Sequence, residues 1–175
     1  IYIGGGTPSL LAPGEIGRIL ETLRRTFRIA DDAEITMEAN PDSLSYDKAA
    51  ALADCGVNRL SLGVQSFSDA MLAFLGRVHT AAQGERAIQA AYDAGIHNLS
   101  LDLMYGLPGQ TLADVRRDVE RLSQLPVVHA SIYSLIVEEG TQLKAGLEKG
   151  DWQLPPDEAT EAMAQTVHDA MHGYG

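Results

Sequence analysis

The feature that most constrains this chain is a strand-like pattern followed by a helical one, repeated along all 175 residues with brief connections. Between Glu15 and Phe27 the apolar residues Ile16, Ile19, Leu20, Leu23 and Phe27 fall at helical spacing, with Pro13 just inside the start. Glu34 to Asn40 alternates as a strand, and Tyr46 to Cys55 reads as a helix closed by Gly56. Arg59 to Gln65 alternates again, and a short helix follows Ser68 and ends at Gly76. Thr80 and Gln83 have the capping-box form and open a helix that runs to Ala94. Asn98 to Tyr105 is the next strand, and Thr111 caps a helix carrying Leu112, Val115, Val119 and Leu122. His129 to Ile136 is a further strand, and Pro155-Pro156 precedes a last helix through Ala159, Met163, Val167 and Met171.

Strands that alternate with helices across short connections make a parallel sheet with right-handed crossovers. The alternation alone fits a closed barrel and an open doubly wound sheet equally. The strand faces separate them. Ile1 and Ile3, Ile35 and Met37, Leu60 with Leu62 and Val64, and Leu99 with Leu101 and Leu103 form one apolar face. The other carries Tyr2, Gly4 and Gly6, then Thr36 and Glu38, then Ser61, Gly63 and Gln65, then Ser100 and Asp102. A sheet covered by helices on both sides has strands that are apolar throughout. A polar face on strand after strand instead suits a barrel wide enough to hold a ligand.

The net charge of -11 disfavours nucleic acid or an anionic membrane surface as the main partner. No apolar run is long enough to span a bilayer and no signal-peptide pattern is present, so no transmembrane segment is expected. The single cysteine, Cys55, permits no internal disulfide and points to a reducing, cytoplasmic setting, with Cys55 itself a packing residue. Of the five histidines only His168 and His172 have a ligand-like spacing, four apart, and a solvated helix face reads better. Both ends read as cut: Ile1 enters at once into a strand, and Gly173-Tyr174-Gly175 falls where a helix hands over to another strand.

The polar residues gather near the C-terminal ends of the strands, where barrels build their sites. Side-chain parity aims Glu38, Gln65 and Asp102 inward together with the turn Gly4-Gly5-Gly6-Thr7-Pro8. That turn lacks the spacing of dinucleotide and P-loop motifs, and reads equally as a tight turn or a binding loop. Glu38 reads either as a solvated strand end or as a site residue. Asp102, set inside Leu99 to Met104, costs several kcal/mol unless it is hydrogen-bonded or paired, so it belongs to a site or to a satisfied internal network. Two inward carboxylates also admit a barrel hydrolase using Glu38 and Asp102.

These residues sit in blocks that resemble the HemN/HemW branch of the radical SAM family. The blocks are Ile1 to Ser9, Glu38 to Pro41, Asn58 to Phe67, Leu75 to His79, Leu101 to Thr111 and Ser131 to Leu135, in order over nearly the whole chain. Pro8-Ser9, Ala39-Asn40-Pro41, Gln65-Ser66-Phe67 and Glu138 to Thr141 are closer to the HemW-like heme chaperones than to the oxygen-independent coproporphyrinogen III oxidases. The resemblance implies an α/β fold, a partial (β/α)6 barrel over residues 1–175 that is incomplete at both ends. It also implies S-adenosylmethionine (SAM) and a [4Fe-4S] cluster that cleaves it to a 5'-deoxyadenosyl radical, heme or a porphyrinogen as cargo or substrate, and a heme acceptor protein. Gly5, Gly6 and Thr7 would meet the methionine amino group; Glu38, Gln65, Arg77 and Asp102 would complete the cradle; Ile136 would touch the adenine. The family's C-x-x-x-C-x-x-C cluster loop is absent here and expected upstream of Ile1, and heme-binding segments are expected beyond Gly175. The 175 residues alone are thus expected to be inactive.

Overall fold

A computed structural model describes residues 1–173, so the expected hand-over at Tyr174 and Gly175 lies outside the described residues. Five strands form one parallel sheet: β1 (Tyr2–Ile3), β2 (Thr36–Ala39), β3 (Arg59–Gln65), β4 (Asn98–Tyr105) and β5 (His129–Ser134). They pair strictly in chain order. A doubly wound sheet reverses its order at a switch point. A sheet that advances by one neighbour at each crossover is the arc of a (β/α) barrel. The helices are α1 (Pro13–Thr26), α2 (Tyr46–Cys55), α3 (Asp69–Phe74), α4 (Ala81–Asp93), α5 (Leu112–Leu122), α6 (Gln142–Lys149) and α7 (Asp157–Gly173).

Local chemistry fixes the helix ends. Thr80 and Gln83 exchange backbone and side-chain hydrogen bonds at the start of α4, and Thr111 and Asp114 do the same for α5. Gly56 ends α2 at φ +104°, a conformation that a side chain would strain. The outward strand residues Met37, Leu60, Leu62, Leu99 and Leu101 pack with Ile16, Leu20, Leu52 and Ile88 of the helices in one core. A smaller cluster of Val115, Val119 and Met163 joins α5 to α7. The expected apolar and polar faces are thus the observed ones, outward and inward.

Helix α6 has no counterpart in the sequence reading. Its pattern is interrupted by Gly146, where an added Cβ would lie 2.4 Å from the ring of Trp152. The glycine is there for ring packing, and Trp152 meets Phe74 edge-on at 5.3 Å. The last strand also stops at Ser134, two residues short of the expected Ile136.

Leu101 is fully buried on a central strand, whereas Leu10 is 70% exposed. Leu101→Ala is expected to lower stability by about 3 kcal/mol and Leu10→Ala by less than about 0.5 kcal/mol, read from urea unfolding midpoints.

Candidate cofactor-binding site

The inward positions of neighbouring strands build the site. Thr36, Arg59 and Ser100 come first along their strands, with the Ser100 hydroxyl 2.8 Å from His129 Nδ1. Glu38, Ser61 and Asp102 follow two residues further along, with Tyr2 of β1 beside Glu38. The glycine turn, Asn40, Gly63, Gln65, Arg77 and Tyr133 come from the C-terminal ends of the strands and the segments after them.

The turn after β1 is opened by Gly5 at φ +90° and Gly6 at φ +60°, with nothing within 4 Å of where either Cβ would stand. A ligand can approach the backbone there without meeting a side chain. The turn is fastened from below: Ser9 Oγ accepts the Asn40 N–H at 3.0 Å and lies 2.6 Å from Ser43 Oγ, while Lys48 Nζ donates to the Ser9 carbonyl.

Glu38 stands against this turn. Its Oε2 accepts the Gly5 N–H at 3.1 Å and its Oε1 the Tyr2 hydroxyl at 2.6 Å. The Glu38 acceptor, helped by burial and by the charges of Glu38 and Asp102, pushes the Tyr2 phenol up to about 12. Asp102 lies across the interior, where Ser61 Oγ donates to it at 3.3 and 3.4 Å. Burial raises its pKa above the usual carboxylate range; the Ser61 and Ser131 hydroxyls oppose the shift and the Glu38 charge adds to it.

Strand β3 ends irregularly. Ser61 pairs with Ser100 and Leu62 with Leu101, yet Gln65 pairs with Leu103, one residue out of step. At this bulge Gln65 adopts φ +69°, the one non-glycine residue with positive φ among the described residues. Its Oε1 accepts the Tyr133 hydroxyl at 3.0 Å, which leaves the amide nitrogen toward Gly63. Arg77 donates to Asn40 Oδ1 at 3.4 Å.

These groups line a cavity of about 240 Å3 bounded by Gly6, Thr7, Pro8, Glu38, Ala39, Asn40, Ser61, Gly63, Gln65, Arg77 and Asp102. A larger hollow of about 470 Å3, lined by Arg24, Asp31 and Asn58, lies at the N-terminal ends of β2 and β3, away from the convergent polar groups. Six of the eight expected site residues therefore share one cavity, and Gly5 reaches it through Glu38. Ile136 is not among its lining and is 72% exposed beyond the end of β5. Tyr2, Asn40, Ser61 and Tyr133 complete the site without having been singled out. Inward parity marked Tyr2 and Ser61 and the same rule reaches Tyr133, but Asn40 shows only as a residue held extended by Pro41.

Among the described residues no ion pair involves Glu38, Asp102 or Arg77. Two uncompensated carboxylates and one free guanidinium suit a ligand that carries cationic centres and a carboxylate, as SAM does. A cluster does not fit the residues present. Cys55 Sγ donates to the Pro13 carbonyl at 3.4 Å between α1 and α2, and no group of three or more candidate metal ligands occurs among the described residues. His168 and His172 stand on the exposed side of α7.

Fold and site together define a (β/α)-barrel core with a polar cavity at the C-terminal ends of its strands. The family model of the radical SAM superfamily matches residues 1–122. The chain belongs to that superfamily, in its HemN/HemW branch. It is 40% identical over 176 residues to the heme chaperone HemW of Bacillus subtilis, covering all of this chain and 46% of that protein. The heme chaperone HemW of Escherichia coli is 43% identical over 141 residues, 81% of this chain and 37% of that protein. Among solved structures the coproporphyrinogen III oxidase HemN of Escherichia coli superposes with a TM-score of 0.86 at 26% identity, over 99% of this chain and 40% of that one. The chain thus spans less than half the length of these relatives. Membership of the superfamily implies SAM and a [4Fe-4S] cluster and leaves the hydrolase alternative without support. No helix among the described residues is long and apolar enough to cross a membrane.

The raised Tyr2 pKa has a definite sign. A folded-state pKa above the unfolded value of 10.0 contributes stability that is complete below pH 10 and lost as the pH rises toward about 12. Glu38→Gln is expected to bring the Tyr2 titration down toward 10.0, measured by tyrosinate absorbance against a Tyr2→Phe reference. Tyr2→Phe is expected to flatten the alkaline loss of stability over the same window.

Proposed function

We propose that this chain is the SAM-binding core of a HemW-like heme chaperone. The observation that carries the reading is the convergence of Gly6, Thr7, Glu38, Gln65, Arg77 and Asp102 on one cavity, in a chain 40% identical along its full length to a heme chaperone. Heme as cargo, a heme acceptor protein and a cytoplasmic setting belong to the same proposal.

Gly5, Gly6 and Thr7 present backbone to the methionine amino group, and Glu38 neutralises that ammonium while it holds the Gly5 N–H. Arg77 clamps the methionine carboxylate, the geometry that suits a planar guanidinium. Asp102 faces the ribose hydroxyls, with Ser61 as its fixed partner. Gln65, anchored by Tyr133, donates its amide nitrogen into the cavity. Ile136, in the segment after β5, is assigned to the adenine. SAM supplies a sulfonium carbon–sulfur bond open to one-electron cleavage; the chain's own residues bind, orient and neutralise it. No step is derived through a cluster, because its ligands are not among these residues.

A second reading, an oxygen-independent coproporphyrinogen III oxidase, draws on the structural likeness to the Escherichia coli oxidase. The two readings separate in the full-length, reconstituted protein under anaerobic reduction. Stable heme binding with the propionates of coproporphyrinogen III left intact is the expected result; decarboxylation of those propionates would establish the oxidase instead.

Gly63 tests the cradle. A Cβ at this position would stand 3.0 Å from Gln65 Nε2 and 3.4 Å from Asn40 Oδ1. Gly63→Ala is expected to weaken SAM binding about tenfold while leaving the fold intact, by calorimetry and circular dichroism. Parent-like affinity in both Gly63→Ala and Asp102→Ala would remove the site assignment.

A further inference from the structure

The left-handed backbone of Gln65 costs a residue with a side chain about 1 kcal/mol or more, so its neighbours must hold it there. The Ser66 N–H turns back onto the Val64 carbonyl at 2.9 Å, and His79 Nε2 lies 3.2 Å from the same carbonyl. The next two groups are captured from outside the barrel wall. Asp118, on α5, accepts the Ser66 hydroxyl through Oδ2 at 2.7 Å and the Phe67 N–H through Oδ1 at 2.9 Å. Ser66 Oγ in turn accepts the Ser68 N–H at 3.1 Å.

Ser66 is fully buried and Asp118 is 5% exposed. Asp118 has no cationic partner within ion-pair distance among the described residues, and burial holds its pKa above the usual carboxylate range. A lone buried carboxylate is a costly way to tie down a loop. It also occupies the face of α5 that Val115, Val119 and Leu122 use for apolar packing. Its place there is accounted for by the two donors it accepts, which an apolar residue would leave unpaired.

We infer that Asp118 is a positioning residue for the cofactor site: its carboxylate fixes the Ser66–Phe67 backbone from behind β3 and so holds the Gln65 amide in the cavity. The inference rests on the SAM reading of that cavity. Neither Asp118 nor Ser66 touches the ligand in this scheme; both act through Gln65.

A double-mutant cycle in the full-length protein tests it, with S-adenosylhomocysteine as the calorimetric probe so that no turnover is needed. Asp118→Ala is expected to weaken binding about tenfold, and the near-isosteric Asp118→Asn, which keeps an acceptor for the Phe67 N–H, to recover most of it. Gln65→Ala with Asp118→Ala is expected to bind no more weakly than Gln65→Ala alone, since the two losses are one. Independent, additive losses would show a general structural role and overturn the inference, as would parent-like affinity in Asp118→Ala when Gln65→Ala is impaired. Should Asp118→Ala not fold, Ser66→Ala opens half of the clamp. An expected loss of about threefold that vanishes in the Gln65→Ala background supports the inference, and no loss overturns it. Parent-like affinity in Gln65→Ala itself would remove the cradle reading, and this inference with it.

Discussion

Parallel pairing of five strands in chain order is the constraint on which everything else in this molecule depends. It gives each strand one face toward the helices and one toward the centre of the arc, at a period of two. The helix-facing set is aliphatic and closes into the main core. Inward groups have no helix to pack against, so each finds its partner on another strand or on the turn after one. Tyr2 bonds to Glu38, Ser61 to Asp102, Ser100 to His129 and Tyr133 to Gln65. Among the described residues no buried side-chain polar atom is left without a partner. The interior is polar and fully satisfied, which is how a barrel can keep a ligand chamber without collapsing.

The charges within that chamber are satisfied by hydrogen bonds but not neutralised. Glu38 and Asp102 receive hydroxyl and backbone donors, and Arg77 rests on a neutral amide. Each ionised group thus keeps its geometry while its charge stays uncompensated. Such a cavity discriminates by charge pattern as well as by shape: a zwitterion with an extra positive centre gains at three points, whereas a plain anion meets two carboxylates.

Much of this was legible in the sequence, for identifiable reasons. Helices such as α2, α4 and α5 carry their caps and their apolar spacing in the residues themselves, so local rules suffice. The inward carboxylates could be found because a charged residue within Leu99 to Met104 violates its surroundings. Helix α6 escaped because Gly146 looks like an interruption until the ring of Trp152 is seen against it, a contact that no local pattern records. Asn40 escaped because its partners, Ser9 and Arg77, come from distant parts of the chain. The bulge at Gln65 is likewise a property of the β3–β4 pair and has no mark in β3 alone. Asp118 did leave a mark, an acid on the apolar stripe of its helix, although only the fold shows that it faces Ser66 and Phe67.

The φ of +69° at Gln65 also limits how this position could drift over evolutionary time. Glycine would relieve the backbone but delete the amide. Asparagine tolerates left-handed geometry better than glutamine, yet its arm is one methylene shorter and falls away from the Tyr133 hydroxyl. Glutamate keeps the length but sets a third carboxylate beside Glu38 and Asp102. Each neighbour in sequence space solves one requirement and forfeits another. The residue found here is the one that accepts a strained backbone in return for reach, neutrality and a donor at once.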